Sequence, residues 1–219
     1  MKKRIVCFGD SNTWGFNAAN LTRFSEEIRW PCLLQKNLGG DYQVIEEGLS
    51  GRTSVVDDPL FEGLNAFTYI HPCLMSHSPL DLVIIMLGTN DTKERFGLTA
   101  FNIAQGITRL AQKASRTAAG IDGCYPKVLV VAPPPIGKGY DSSNVRHSMG
   151  EHCDIKSEEF PTYLEEMLLR ENIHFLNLGK KVSMNNIDYM HLDEVGHKLT
   201  AQLVQNKITE IVGGGNNNV

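Results

Sequence analysis

The sequence predicts an α/β fold, a three-layer α/β/α sandwich built around a central parallel sheet. Residues 81–87 and 127–132 are apolar on both faces, which is typical of buried central strands in a parallel sheet. Segments with helical periodicity lie between these runs and the other predicted strands. Because parallel strands need crossover connections, this alternation predicts helices on both faces of the sheet, as in flavodoxin-like folds.

The individual elements follow from the periodicity of the apolar residues. Strands are expected at residues 3–8, 42–45, 81–87, 127–132 and 173–176. Helices with one apolar face are expected at residues 26–38, 99–119, 157–170 and 193–212. The pair Gly39-Gly40 ends the first of these helices, and Ser157 is the expected cap of the third.

Two connections and the chain end are less regular. Residues 59–78 are partly apolar but contain Pro72, so we expect a loop with a short helix. Residues 136–155 are polar, and we expect a long loop there, because loops of that length in a compact domain are usually functional or mobile. Residues 1–212 are expected to form a single domain, with residues 213–219 as a disordered tail.

Composition argues against several classes of function. The net charge of -4 comes from scattered charges, which makes nucleic acid an unexpected partner. No apolar run approaches the ~20 residues of a membrane span, and the apolar run after Lys2-Lys3-Arg4 is too short for a signal-peptide core. The cysteines form no C-x-x-C pair, which favours a reducing compartment. We therefore expect a cytoplasmic protein that binds neither nucleic acid nor membrane.

A hydroxyl group stands where the first predicted strand ends. Residues 3–8 run into Gly9-Asp10-Ser11-Asn12, all of which favour turns. In open α/β sheets, ligands bind at the carboxyl ends of the strands. Ser11 is therefore a candidate nucleophile, although a serine in such a turn can equally serve as a helix cap.

Three further segments could meet Ser11 at this edge. Gly51 follows the second predicted strand, Asn90 follows the third, and Asp188 and His191 precede the last helix. A nucleophilic serine needs a base within hydrogen-bond reach and an acid that orients the base. If residues 188–191 fold back to the sheet edge, Ser11, His191 and Asp188 supply these three groups.

These segments, in this order, resemble the four sequence blocks of the GDSL, or SGNH, hydrolase family. The blocks are Gly9-Asp10-Ser11, Gly48-Leu49-Ser50-Gly51, Gly88-Thr89-Asn90-Asp91 and Asp188-Tyr189-Met190-His191. They extend over nearly the whole chain, and residues 46–50, 83–93 and 127–135 most resemble the arylesterase and acyltransferase/perhydrolase branch. Asn12 and Tyr189 replace a usual Leu and Gly, which affects the expected substrate preference more than the reaction class.

The resemblance implies roles for the residues of these blocks. Ser11 would be the nucleophile, His191 the general base and Asp188 the acid that orients it. The backbone N–H groups of Ser11 and Gly51 and the side-chain amide of Asn90 would bind the oxyanion. Loss of one such donor typically lowers the rate about 100- to 1,000-fold.

Asn12 and Trp14, which follow the serine, are candidates for the substrate pocket.

The remaining polar residues near the blocks are expected to be structural. Asp10 and Asp91 would bond loop amides, and Asp10 is the less favoured alternative for the triad acid. No metal and no cofactor are expected. His197 is expected to lie inside the last helix, with Asp193 as the cap of that helix. His147, His152 and Asp154 have weak metal-like spacing, but we expect them to be solvated polar residues.

The expected function is a serine esterase that hydrolyses short-chain acetyl or aryl esters through an acyl-enzyme, with acyltransferase or perhydrolase activity beside hydrolysis. One alternative is a carbohydrate esterase that acts on acetylated sugars. An alternative of another class is a flavodoxin-like phosphoacceptor or ligand-binding domain with Asp10 as its key acid, but Asp10 has no adjacent acid. The expected partner is a small-molecule ester, and the resemblance implies a homo-oligomer.

Overall fold

The structure, a computed structural model that describes residues 2–213, contains one parallel five-stranded sheet and a small hairpin. In chain order the strands are β1 (Lys3–Gly9), β2 (Phe16–Asn17), β3 (Thr22–Arg23), β4 (Tyr42–Gly48), β5 (Leu82–Met86), β6 (Lys127–Ala132) and β7 (His174–Asn177). β2 and β3 pair antiparallel, and the other strands pair in parallel in the order β4-β1-β5-β6-β7. The predicted parallel α/β fold is confirmed.

Helices cover both faces of this sheet. The α-helices in chain order are α1 (Ser11–Trp14), α2 (Trp30–Leu38), α3 (Ala66–Ser76), α4 (Ala100–Ser115), α5 (Arg146–Met149), α6 (Cys153–Arg170) and α7 (Glu194–Gly213). Side chains of α3, α4 and α6 share one core with Val83 and Ile85 of β5. Side chains of α2 and α7 share the other core with Ile84 and Met86. Because side chains alternate along a strand, β5 serves both cores and is apolar throughout.

Two helix boundaries differ from the prediction near prolines. α2 begins at Trp30 rather than at residue 26, with Pro31 in its first turn. A proline ring there would clash with the carbonyl four residues earlier if the helix began at 26. α3 is longer than expected and continues through Pro72, whose side chain is exposed. Its N-terminus is capped by the Asn65 side chain, which accepts a hydrogen bond from Phe67 N.

The prediction of a long loop at residues 136–155 is wrong. The segment contains a 3₁₀ helix (Lys138–Ser142), α5 and the first residues of α6. Ser157 therefore lies inside α6, where its hydroxyl donates to Asp154 O and accepts from Ile136 N. The reason is a small apolar cluster that sequence polarity conceals, formed by Ile136, Tyr140, Met149, Cys153 and Met190.

The last helix agrees closely with the prediction. α7 runs from Glu194 to Gly213, and Asp193 caps it by accepting a hydrogen bond from Gly196 N at 2.7 Å. Of the predicted tail, Gly213 is the last residue of α7, and residues 214–219 lie outside the described part of the chain. Within residues 2–213, none of the helices combines the length and apolar content that crossing a membrane requires.

Candidate active site

Ser11 is the first residue of α1, directly after the carboxyl end of β1. The carboxylate of Asp10 caps α1 by accepting a hydrogen bond from Asn12 N at 2.9 Å. The side chain of Thr13 on α1 packs so closely on the end of β1 that a Cβ on Gly9 would lie 2.1 Å from Thr13 Oγ1. This tight turn places the Ser11 hydroxyl at the sheet edge, where its residue is only 6% exposed.

The structure brings Ser11, His191 and Asp188 together in one chain of hydrogen bonds. Ser11 Oγ lies 2.9 Å from His191 Nε2, and His191 Nδ1 lies 2.6 Å from Asp188 Oδ2. All three side chains are buried. Serine and histidine are far apart in sequence, so their contact depends on residues 185–192 folding back over α1.

Asp188 is held in its ionised form. Burial works to raise its pKa, but hydrogen bonds from His191, Met190 and Asn185 and the charge of His191 outweigh burial and lower the pKa to about 2. Its Oδ1 accepts from Met190 N at 3.0 Å and from His191 N at 3.1 Å. An ionised acceptor at Nδ1 keeps the imidazole proton on that nitrogen and leaves Nε2 free to accept the Ser11 proton.

Asn185 organises the turn that carries Asp188 and His191, and the sequence reasoning missed it. Its amide nitrogen donates to Asp188 Oδ1 at 2.9 Å and to His191 O at 2.8 Å. Its amide oxygen accepts from the backbone N–H groups of Ile187 and Asp188. The only sequence signal was the turn preference of asparagine, which does not distinguish Asn185 from Asn186.

Asn12 makes two buried hydrogen bonds to the segment around His191, and its predicted role in a substrate pocket stays a prediction. Asn12 is 1% exposed, and its amide donates to Met190 O at 3.2 Å and accepts from Leu192 N at 2.9 Å. These two bonds bracket His191 and attach its segment to α1. Asn12 therefore links α1, which carries Ser11, to the segment that carries His191.

Two aromatic residues lie close to these groups. The Phe16 ring, which no motif indicated, lies with its centroid 4.5 Å from that of the His191 imidazole. Trp14 is half-buried, with the Arg23 guanidinium 5.2 Å from its ring centroid. Arg23 also donates to Trp14 O at 2.7 Å. The predicted pocket role of Trp14 stays a prediction.

Gly51 and Asn90 follow the carboxyl ends of β4 and β5, the two strands that flank β1. Gly51 has a φ of +87°, a left-handed conformation that favours glycine. Among residues 2–213, no protein acceptor takes its N–H. Asn90 begins a 3₁₀ helix and is 5% exposed, with its amide nitrogen 3.5 Å from Asp10 Oδ2. Their roles at the oxyanion stay predictions.

Buried carboxylates link the loops that carry these groups, as predicted for Asp10 and Asp91. Asp10 faces both Asn12 N and the Asn90 amide. Burial raises the pKa of Asp10 to about 6, while the hydrogen bond from Asn12 and the charge of His191 oppose the rise. Asp91 accepts hydrogen bonds from the backbone N–H and hydroxyl of Ser54, and burial raises its pKa as well.

His197 is not part of this group. It lies inside α7, fully buried, where its Nδ1 accepts from Trp30 N at 3.3 Å and its ring meets the Phe24 ring edge-on. Burial lowers its pKa to about 3, with the charges of Arg29 and His191 adding to the effect. The prediction of His197 as a helix residue is confirmed.

Potential metal ligands converge elsewhere in the described part of the chain. The group of His147, His152 and Asp154 does not converge among residues 2–213, whereas Glu47, Cys73 and His77 do. These three residues lie outside the Ser11–His191–Asp188 chain of hydrogen bonds. The prediction of metal-free chemistry at Ser11 stays a prediction.

Comparison with known proteins identifies the family. Residues 7–199 match the sequence profile of the GDSL-like Lipase/Acylhydrolase family. An acetylxylan esterase of Xylanibacter ruminicola is 27% identical over 215 residues; the match covers 92% of this chain but only 42% of that protein's length. This chain therefore spans less than half of that curated relative.

Two solved structures resemble this one over nearly their whole length. An aryl esterase of M. smegmatis is 37% identical with a TM-score of 0.86, over 95% of this chain and 99% of that chain. A carbohydrate acetylesterase of Sinorhizobium meliloti is 36% identical with a TM-score of 0.87, over 96% of this chain and 100% of that chain. The predicted family is confirmed: this chain belongs to the GDSL-like lipase/acylhydrolase family.

Proposed function

We propose that this protein is a serine esterase that cleaves short-chain acetyl and aryl esters through an acyl-enzyme formed on Ser11. The observation that carries the proposal is the continuous chain of hydrogen bonds from Ser11 Oγ through His191 to Asp188. A nucleophile, a base and an orienting acid in this geometry are the requirements for activating a serine hydroxyl.

The proposed reaction begins when Ser11 Oγ attacks the ester carbonyl and His191 Nε2 takes its proton. The ionised carboxylate of Asp188 stabilises the resulting imidazolium. His191 then protonates the leaving alcohol, which leaves the acyl group on Ser11. Water activated by His191 Nε2 releases the acid and restores the free serine.

The oxyanion would be bound by the N–H groups of Ser11 and Gly51 and by the Asn90 amide. Three features support this part of the proposal. Ser11 lies at the first position of a helix, where backbone N–H groups have no intrahelical acceptor. Gly51 has an N–H without a protein acceptor among the described residues. Asn90 is held beside the same turn by its contact with Asp10.

A covalent probe tests the nucleophile. We expect an organophosphonate to add one adduct to the wild-type protein, mapped to Ser11 by mass spectrometry, and none to Ser11→Ala. The variant should lose ester hydrolysis by about a million-fold while keeping its circular dichroism spectrum. Ser50→Ala is the matched control, because Ser50 is exposed. Full activity in a folded Ser11→Ala protein would refute the proposal.

The relatives support a second candidate substrate, an acetylated sugar. Both an acetylxylan esterase and a carbohydrate acetylesterase resemble this chain, whereas an aryl esterase supports the first candidate. Rates on p-nitrophenyl acetate, propionate, butyrate and octanoate, set beside acetate release from acetylated xylose, distinguish the two. We expect a higher kcat/KM on the short aryl esters.

Three finer features complete the proposal. We propose that alcohols or peroxide compete with water for the acyl-enzyme, which ester formation in alcohol–water mixtures would reveal.

We also propose a homo-oligomer, supported by the exposed apolar pair Leu60 and Phe61 after the Gly51 loop and tested by light scattering. A cytoplasmic location is supported by five cysteines that all remain thiols in the structure.

A further inference from the structure

Three side chains of different ligand types converge where β4 ends beside the carboxyl end of α3. They are Glu47 on β4, Cys73 on α3 and His77 directly after α3. One ligand atom from each lies within 4.8 Å of the others, and Glu47 Oε1 is 2.7 Å from His77 Nε2. We propose that this cluster, which we call the β4–α3 site, binds a divalent zinc ion.

The backbone positions the ligands of the β4–α3 site before any metal binds. Cys73 and His77 are four residues apart, so both project from the same face at the end of α3. His77 N donates to Cys73 O at 3.2 Å, which keeps that last turn helical. Glu47 is the second-to-last residue of β4, and its register partner on β1 is Phe8, whose side chain lies in the same core as α3.

The donor set favours zinc over harder ions. Thiolate, imidazole and carboxylate are all zinc ligands, whereas Mg²⁺ and Ca²⁺ prefer oxygen. Zinc bonds of about 2.0–2.3 Å in a tetrahedron place ligand atoms ~3.5 Å apart, so side-chain adjustments of about an ångström complete the site. Cys73 is 1% exposed, while Glu47 and His77 are partly exposed, which leaves a solvent-facing position for a water ligand.

Two ligands of the β4–α3 site supply the negative charge that a zinc ion requires. Zinc binding replaces the proton on Cys73 Sγ, which goes to solvent, so that thiolate and carboxylate together neutralise the ion. The buried guanidinium of Arg52 stays in place, because it donates to the backbone oxygens of Gly9 and Glu47 rather than to the Glu47 carboxylate. The metal would join the end of β4 to α3, directly before the loop that carries Gly51.

Cobalt substitution tests the proposal on the full chain after treatment with EDTA. We expect one Co²⁺ per chain, with a near-ultraviolet sulfur-to-cobalt charge-transfer band that Zn²⁺ displaces. Cys73→Ser should abolish the band. His77→Gln and Glu47→Gln should each weaken Zn²⁺ affinity at least ~10-fold in competition with a chromophoric chelator. Zn²⁺ should also raise the Tm of the wild type but not that of His77→Gln.

Matched controls come from the same region and residue types. His71→Gln changes an exposed histidine on α3, and Cys124→Ser removes an exposed thiol, so neither should alter the band. His77→Gln keeps the test decisive if Cys73→Ser does not fold, because His77 is partly exposed. An ordinary Glu47–His77 ion pair without a metal would give no band and no zinc-dependent Tm shift. Either that outcome or a band that survives in Cys73→Ser would overturn the proposal.

Discussion

At the residue scale, two buried asparagines hold the segment that carries Asp188 and His191 in place beside Ser11. Asn185 satisfies Asp188 and the backbone of its turn with both ends of one amide. Asn12 bonds the backbone on both sides of His191. Since the imidazole must stay within hydrogen-bond reach of Ser11, these asparagines set the precision of the site.

Removing the Asn185 amide should lower kcat and leave KM nearly unchanged. Asn185→Ala deletes the side-chain donor to Asp188 and the acceptor for two turn N–H groups. We expect kcat on p-nitrophenyl acetate to fall about 10- to 100-fold, as for other residues that orient a reacting group. Asn186→Ala is the control, because Asn186 is exposed beside it. Equal kinetics for the two variants would contradict this role.

The catalytic candidates were predictable at this scale, and their supports were not. Ser11, Asp188 and His191 stand in recognisable blocks because the chemistry demands those residue types. Asn12 and Phe16 contact residues 190–192, so their roles depend on where that segment lies in space. Asn185 bonds within its own turn, and its role depends on the conformation of that turn. A turn-forming asparagine has the same local signature whether or not it supports a site.

At the scale of elements, the close approach of α1 to β1 positions Ser11. The glycine at the end of β1 has no room for a side chain, because a Cβ there would also lie 2.8 Å from Met86 O. Residues 136–155 form a second positioning element. Gly137 N donates to Tyr189 O at 2.8 Å, and the apolar cluster around Tyr140 includes Met190. The segment therefore packs against the residues immediately before His191.

Adding one methyl group at Gly9 should separate α1 from β1. Gly9→Ala forces the backbone to move away from Thr13 and Met86, and overpacking of this kind costs about 1–3 kcal/mol. We expect a lower urea midpoint. We also expect the rate of ester hydrolysis to fall by at least the factor that corresponds to the change in the free energy of unfolding. Gly40→Ala provides the control, since a Cβ there meets nothing within 4 Å. A fully active and equally stable Gly9→Ala protein would rule out this account.

The strand predictions were correct where apolar residues follow one another closely in the sequence. The strands at 3–8, 81–87 and 127–132 coincide with β1, β5 and β6 within about two residues, as boundaries usually do. The prediction of a long loop at residues 136–155 was wrong because the buried residues of this segment are too widely spaced in the sequence to form a period. Tyr140 and Cys153 are buried by contact with each other and with Met190, which lies far along the chain.

For the whole molecule, stability depends on how the layers pack on the sheet. α7 and α2 meet over one face, and His197 is buried between them with its Nδ1 bonded to Trp30 N. Its pKa of about 3 lies far below the ordinary value of 6.5. The folded protein therefore keeps this imidazole neutral, whereas the unfolded chain takes up a proton as the pH falls below 6.5. Stability from this group is present above pH 6.5 and is lost progressively toward pH 3.

Acidification should show how much His197 lowers the free energy of unfolding. Between pH 7 and pH 5 the wild type should lose ~2 kcal/mol of unfolding free energy through His197. His197→Asn places an amide acceptor near the Nδ1 position and cannot titrate, so its stability should change less over the same range. Urea unfolding at pH 7, 6 and 5 measures the difference, with His147→Asn as an exposed control. Parallel pH curves for wild type and His197→Asn would refute the assignment.

The pattern of residues along the chain is sufficient to predict the fold class and the chemical groups of the candidate site. Alternating apolar runs require a parallel sheet with two covered faces, and the four blocks supply a serine, two amide donors and an Asp–His pair. The residues that support these groups became visible only in the folded protein. Asn12 and Phe16 contact a segment that is distant in sequence, and the contacts of Asn185 depend on the conformation of its own turn. Folding also brings Glu47 to Cys73 and His77. No local sequence pattern predicts such contacts, since they form when elements pack against one sheet and bury their apolar faces.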